Sequence, residues 1–331
     1  LYTELVPEKQ YVEDCNSASA DRLAEIIDYM LQYHPAESYG LVLWSHASGW
    51  IPSPYKGDKS PIKKSFGVDN GQNSSVSNIG NEMNIPDMAR AIESKCQFEY
   101  IFFDACFMQC IEADYELRKC AKYIVASPAE IPGPGANYKL MAKPFFKAEN
   151  SAKTIVDTYY DTYYDGEKGI YRYIDGIAYG VIISAVDTKQ LDNFAAYTKT
   201  ICDQNSYQLS RINYSETQNY YDYDLLGHSH PDFLDIQGIM YNIIFGVDYD
   251  EWKAEFNKLV VNHKFTPRWT TIYSRLDTKV KPDQCGGVSM FIPSYIRYSY
   301  DDKDYINNVK KTAWGSYIWG ETKDADEQEL L

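Results

Sequence analysis

Two short apolar runs, Tyr39-Gly-Leu-Val-Leu-Trp-Ser45 and Tyr100-Ile-Phe-Phe-Asp104, constrain this chain more than any other feature. A strand with one solvated face alternates apolar and polar residues, whereas a strand buried on both faces of a parallel sheet reads as a continuous apolar run. Helical patterns surround these two runs. Leu23, Ile26, Ile27, Met30 and Leu31 recur at helical spacing within 17–34, with Ser17 or Ser19 as the cap and Pro35 as the stop. Ile85, Met88, Ala89 and Ile92 form a second stripe behind Asn84 and Pro86, and a further helix is predicted from Cys106 with Phe107, Cys110 and Ile111 on one face. More buried strands read at Tyr123–Ser127 and Gly180–Val186. Helix alternating with buried strand predicts an α/β fold: a mostly parallel central sheet with helices on both faces.

With 331 residues the chain can build two units. The alternating pattern occupies 1–190. Residues 191–331 read as a second, mixed and mainly helical part with a late strand near 287–292, and the acidic tail Asp324–Glu329 reads as a solvated end. Lys and Arg number 32 against 47 Asp and Glu, a net charge of −15 that repels phosphate backbones and anionic lipid surfaces, so no nucleic-acid partner is expected. No apolar stretch is long enough to predict a transmembrane segment. The 31 tyrosines suit a surface that grips polypeptide or sugar. Seven irregularly spaced cysteines form neither a disulfide framework nor paired CxxC metal knuckles.

Both apolar runs end in reactive side chains. His46 follows the first and Cys106 follows the second, sixty residues later. Ligands of open parallel sheets bind outside the carboxyl ends of the strands, where a histidine and a cysteine from neighbouring strands can meet. The imidazole can take the thiol proton or stabilise a thiolate, and can then protonate a leaving amine. The backbone N–H groups of Ala47 and Cys106 are natural donors to a tetrahedral oxyanion. The competing interpretation makes Cys106 a small buried hydrophobe and His46 a polar strand cap.

More than spacing distinguishes the two. Tyr39–Trp50, with its Ser-His46-Ala-Ser-Gly block, and Phe102-Phe-Asp-Ala-Cys106-Phe-Met resemble the two reactive blocks of the clostripain family of cysteine peptidases, relatives of caspases, gingipains and legumains. The similarity continues through Ala126–Gly133, Ile183–Asp187, Phe233–Asp235 and Gly286–Pro293. The resemblance implies a caspase-like three-layer α/β sandwich with a mainly helical C-terminal extension. It also implies a cysteine endopeptidase with Cys106 as nucleophile and His46 as its partner, acting on polypeptide as a monomer and requiring no cofactor. Asp104, Ser127 and Pro134 fall where the family shapes its substrate site.

Three departures stand out. Ala47 replaces the glycine that usually follows the histidine. Pro134 occupies the acidic position of the family's Pro-Gly-Asp-Gly segment, which leaves Asp104 as the one acid to attract a P1 Arg or Lys. Family chains also usually begin with another strand and helix upstream of Leu1, so the first strand is expected to be missing here. Family members mature by cutting the loop between the reactive blocks, and Lys56, Lys59, Lys63 and Lys64 are the candidate self-cleavage residues. Calcium, needed by some relatives, has no EF-hand run to hold it around Asp69-Asn70, and His228-Ser-His230 with Asp232 and Asp235 is a weak metal pattern, so no metal site is assigned. The relatives imply export to the cell surface, the periplasm or the medium. The rival function is a catalytically weak caspase-fold module that binds peptide or glycan.

Overall fold

A computed structural model describes residues 16–52, 65–69, 81–147, 149–164, 169, 173–174, 177–220, 233–270, 277–293 and 303–320. Helix α1 (Ala20–Tyr33) starts at Ser19, whose hydroxyl accepts from the Arg22 N–H and so satisfies one of the unpaired donors of the first turn. Strand β1 (Gly40–Trp44) follows, then the short antiparallel pair β2 (Phe66–Asp69) and β3 (Asn81–Met83). Helix α2 (Ile85–Glu93), with Pro86 in its first turn, leads into β4 (Phe98–Asp104). Next come α3 (Ile111–Glu116), β5 (Ala121–Ala126), α4 (Tyr138–Phe145), α5 (Ser151–Tyr164), the two-residue strands β6 (Tyr173–Ile174) and β7 (Ile177–Ala178), and β8 (Ile182–Asp187).

The C-terminal part supplies α6 (Leu191–Gln204), the single turn α7 (Ser206–Leu209), β9 (Leu234–Asp235), α8 (Ile236–Ile243) and α9 (Val247–Leu259). It continues with β10 (Val260–Phe265), β11 (Arg268–Thr270), β12 (Asp277–Lys279), β13 (Ser289–Met290), α10 (Lys303–Lys311) and α11 (Ala313–Trp319).

The central sheet has the order β1-β4-β5-β8-β10. Its first three strands are parallel, β8 runs antiparallel to β5, and β10 runs antiparallel to β8, so four of the five share one direction. The expected mostly parallel sheet is therefore present. Its fifth strand, however, comes from beyond residue 190, in a stretch where the sequence showed no strand pattern.

Alternation along β4 divides the layers. Ile101 and Phe103 pack with Ile27 of α1 and Met88 and Ile92 of α2, while Tyr100 and Phe102 pack with Met141 of α4 and Ile155, Tyr159 and Tyr163 of α5. Helices thus cover both faces, as the unalternating run of β4 demands. Helices α6, α8, α9 and α11 form a third cluster around Trp252, Trp314 and Phe256, into which α3 inserts Ile111 and Tyr115.

Two expectations are corrected. Strand β1 is the outer strand of the described sheet, with one neighbour, and Trp44 is 71% exposed rather than buried on both faces. The helix predicted from Cys106 begins only at Ile111. Residues 107–110 cross in extended and turn conformations instead, because Ser289 N–H bonds to the Gln109 carbonyl and holds that stretch beside β13.

Glu112 fastens this crossing. Its side chain is fully buried, Oε1 accepts the Phe291 N–H at 2.8 Å, and Oε2 has no partner. Burial pushes its carboxyl from 4.5 up to about 8, against the pull of the backbone N–H groups. Between those two values the folded chain binds the proton that the unfolded chain has released, so stability falls as pH rises from about 4.5 to about 8 and levels off above. Glu112→Gln keeps an acceptor for Phe291 and removes the titration, so thermal melts across this window should show a flatter pH dependence of Tm than wild type, by up to roughly 1.4 kcal/mol per pH unit.

Candidate active site

The pairing of β1 with β4 builds the site. From Gly40 opposite Tyr100 to Trp44 opposite Asp104 the register keeps a constant offset of sixty residues without a bulge. His46 and Cys106 stand at that same offset, each two residues beyond the last pair. They leave the sheet at one edge, the carboxyl ends of adjacent parallel strands, with His46 exposed and Cys106 half-buried.

The segment after His46 is held by β2. Ser48 N–H donates to the Ser65 carbonyl and Gly67 N–H to the His46 carbonyl, both at 3.0 Å, with Ala47 bridged to Phe66 between them. These two bonds flank Ala47 and leave its own N–H outside the ladder. Among the described non-glycine residues positive φ occurs at Phe107 and Asn150, so Ala47 needs none of the freedom that glycine would provide. That freedom is used at Gly49, where φ is +62° and a Cβ would lie 2.7 Å from the Phe107 carbonyl oxygen.

On the other strand, Cys106 is followed by a residue in the left-handed region, Phe107, at φ 59°. Such a conformation is unfavourable for a bulky side chain and persists only where the surroundings fix it. The Phe107 ring stacks on Phe233 with centroids 4.7 Å apart, and its N–H donates to the Ala129 carbonyl at 3.1 Å. The chain therefore turns sharply at Cys106. The thiol accepts the Ile131 N–H at 3.4 Å. Burial pushes the thiol up to about 12, the Glu130 and Asp104 carboxylates push in the same direction, and the Ile131 N–H opposes them. In this arrangement Cys106 carries its proton at neutral pH.

Asp104, the last residue of β4, lies on the α4–α5 side and is only 1% exposed. Its Oδ2 accepts the Ala136 N–H and the Tyr138 hydroxyl, each at 2.9 Å. Burial raises its carboxyl, and these two hydrogen bonds pull it back down. Pro134 is exposed in the turn Pro132–Gly135, closed by the Gly135 N–H on the Pro132 carbonyl at 2.9 Å. Ser127 is buried, its hydroxyl exchanging bonds with the Ala129 N–H and carbonyl at 3.1 and 3.0 Å, so that hydroxyl is committed to its own turn.

Lys56, Lys59, Lys63 and Lys64 lie outside the described residues, as do His228, His230 and Asp232. Asp235 is buried and accepts the N–H groups of Gln237, Gly238, Gly286 and Gly287 and the Tyr220 hydroxyl, which makes it a structural anchor. Asp69 accepts from the Ser17 N–H and hydroxyl. Among the described residues no group of three His, Cys, Asp or Glu could hold a metal ion. Sequence reading missed Glu130, Ile131 and Tyr138 as neighbours of the reactive groups. Ile131 acts through its backbone, which no residue type signals, and Tyr138 reaches Asp104 across 34 residues.

Cysteine and histidine presented together at one sheet edge, beside backbone N–H groups, form an arrangement suited to acyl transfer. The solved structures that this chain resembles are described as cysteine or C11 proteases. A secreted C11 cysteine protease from Bacteroides thetaiotaomicron, in complex with an irreversible peptide inhibitor, is 28% identical and superposes with a TM-score of 0.73 over 93% of this chain and 80% of its own. An inactive zymogen C11 protease from Parabacteroides distasonis is 29% identical, also with a TM-score of 0.73, over 94% of this chain and 78% of its own. A cysteine protease from B. fragilis is 29% identical with a TM-score of 0.56, covering 72% of this chain and 94% of its own. No curated protein matches the chain. No described helix is long and apolar enough to cross a membrane. The sequence profile of the clostripain family matches residues 3–328, nearly the whole chain, and the chain therefore belongs to that family of caspase-like cysteine peptidases.

Proposed function

We propose that the protein is an endopeptidase in which Cys106 is the nucleophile and His46 its acid–base partner. The observation that carries this reading is the unbroken β1–β4 register, whose offset of sixty residues is also the offset of the two side chains. The thiol is protonated before attack, so the imidazole acts as a general base rather than as one half of a standing ion pair. As His46 takes the proton, Sγ attacks the scissile carbonyl carbon and the carbonyl oxygen becomes an oxyanion. The N–H groups of Ala47 and Cys106 receive it. The imidazolium then protonates the leaving amine, the C–N bond breaks, and a thioester remains on Cys106. Water, activated by the now neutral imidazole, hydrolyses the thioester and restores the thiol.

Asp104 supplies the negative charge that favours Arg or Lys at P1, with the Pro132–Gly135 turn as a wall of the site. The basic loop then contains the enzyme's own substrates, Lys56, Lys59, Lys63 and Lys64. The chemistry requires no cofactor. Action as an exported monomer is part of the same proposal, supported by the relative that is described as secreted.

Cleavage of a peptide library scanned at P1, by wild type, Cys106→Ala and His46→Ala in parallel, tests the assignment. Wild type should cut after basic residues and after one of its own loop lysines. Each variant should lose roughly 10³–10⁴ in rate and remain intact. Equal cleavage by Cys106→Ala would remove the proposal. The proton assignment has its own readout, the ultraviolet absorbance of thiolate compared between wild type and Cys106→Ala. No difference is expected near neutral pH, with one emerging only as pH rises towards about 12, whereas a thiolate signal at neutral pH would contradict the general-base route.

A further inference from the structure

Asp104 presents its two carboxylate oxygens unequally. Oδ2 already accepts two hydrogen bonds, from the Ala136 N–H and the Tyr138 hydroxyl, both 2.9 Å long, while Oδ1 is buried and accepts none. The turn fixes this inequality. A Cβ on residue 135 would sit 2.7 Å from Oδ2 and 3.0 Å from Oδ1, so only glycine lets the backbone approach this closely, and its φ of +60° suits the same residue. Tyr138 stands at the start of α4, its side chain 45% exposed, and reaches from the surface to the buried carboxylate.

Lysine and arginine make different demands on such a group. A guanidinium binds a carboxylate best as a fork, with two parallel N–H bonds to its two oxygens, whereas an ammonium is a point charge that one oxygen can satisfy. With Oδ2 occupied twice over, Asp104 retains one open acceptor. The exposed Pro134 adds neither a charge nor a side-chain acceptor that could replace the lost oxygen. A buried acceptor without a donor is unfavourable until one arrives, and Oδ1 lies enclosed, where a slender unbranched side chain penetrates more readily than a broad planar one.

From this geometry we infer that Tyr138 is a specificity-determining residue: by holding Oδ2 it makes the site select lysine over arginine at P1. The inference rests on the reading of Asp104 as the group that receives a basic P1 side chain.

The test compares kcat/KM for matched peptides differing only in P1 Lys, Arg or Gln, with wild type, Tyr138→Phe and Asp104→Asn. Wild type should prefer Lys over Arg by about tenfold or more, and Tyr138→Phe, which leaves Oδ2 with the Ala136 N–H alone and so reopens one acceptor position on it, should reduce that ratio at least about fivefold by gaining on Arg. Asp104→Asn should lose the preference for either basic residue over Gln. If wild type cuts Arg as well as or better than Lys while Asp104→Asn loses both, the inference falls and the reading of Asp104 stands. A folded Tyr138→Phe with an unchanged ratio also overturns it. If Asp104→Asn keeps its basic preference, or no Cys106-dependent cleavage occurs, the underlying reading fails and takes the inference with it. The wild-type ratio decides even if Tyr138→Phe does not fold.

Discussion

The pairing of β1 with β4 is the constraint on which the rest of the site depends. Parallel strands cannot be joined by a tight turn, so the chain must travel between them, here through β2, β3 and α2. That excursion also returns Ser65–Gly67 to brace the segment after His46. A slip of one residue in the β1–β4 register would turn alternate side chains to the opposite face of the sheet. The apolar residues of β4 forbid it, because Ile101 and Phe103 fill one core and Tyr100 and Phe102 another. Core packing thus fixes the register, and the register determines which residues stand together at its end.

The second strand end carries a further consequence of alternation. Asp104 shares its face of β4 with Tyr100 and Phe102, the side covered by α4 and α5, and so meets the Pro132–Tyr138 segment that leads into α4. Cys106, the proposed nucleophile, leaves the sheet two residues later at a turn whose left-handed Phe107 is secured by Phe233, Ala129 and Gly49. Those three supports come from separate parts of the chain, including the C-terminal part. Phe233, just before β9, thus ties the C-terminal part to the turn at Cys106.

The placement of His46 and Cys106 at adjacent strand ends was legible in the sequence because each follows an apolar run. A polar side chain where a buried strand stops is conspicuous, and two such stops sixty residues apart suggest neighbouring strands. Other features had no comparable signal. Val260-Val-Asn-His-Lys-Phe265 follows α9 without a break and mixes polar with apolar residues, since it is an outer strand of the described sheet. Strand β1 read as doubly buried because its residues are apolar, yet covering a strand requires neighbours that composition cannot supply. The helix expected from Cys106 failed for a similar reason, since a distant contact, Ser289 on Gln109, holds that stretch extended. Tyr138 and Ile131 act through a turn and a backbone group, neither of which leaves a periodic trace.

The central claim is that the β1–β4 edge makes one cysteine chemically unlike the others. Cys96, Cys110, Cys120, Cys202 and Cys285 are also free thiols, four of them buried. Labelling with a peptide acyloxymethyl ketone bearing a basic P1 residue, followed by mass-spectrometric mapping of the modified cysteine, tests the claim most directly. The account predicts modification of Cys106 alone, lost when His46 is replaced by alanine. Labelling spread over several cysteines, or on Cys106 at an undiminished rate without His46, would contradict it.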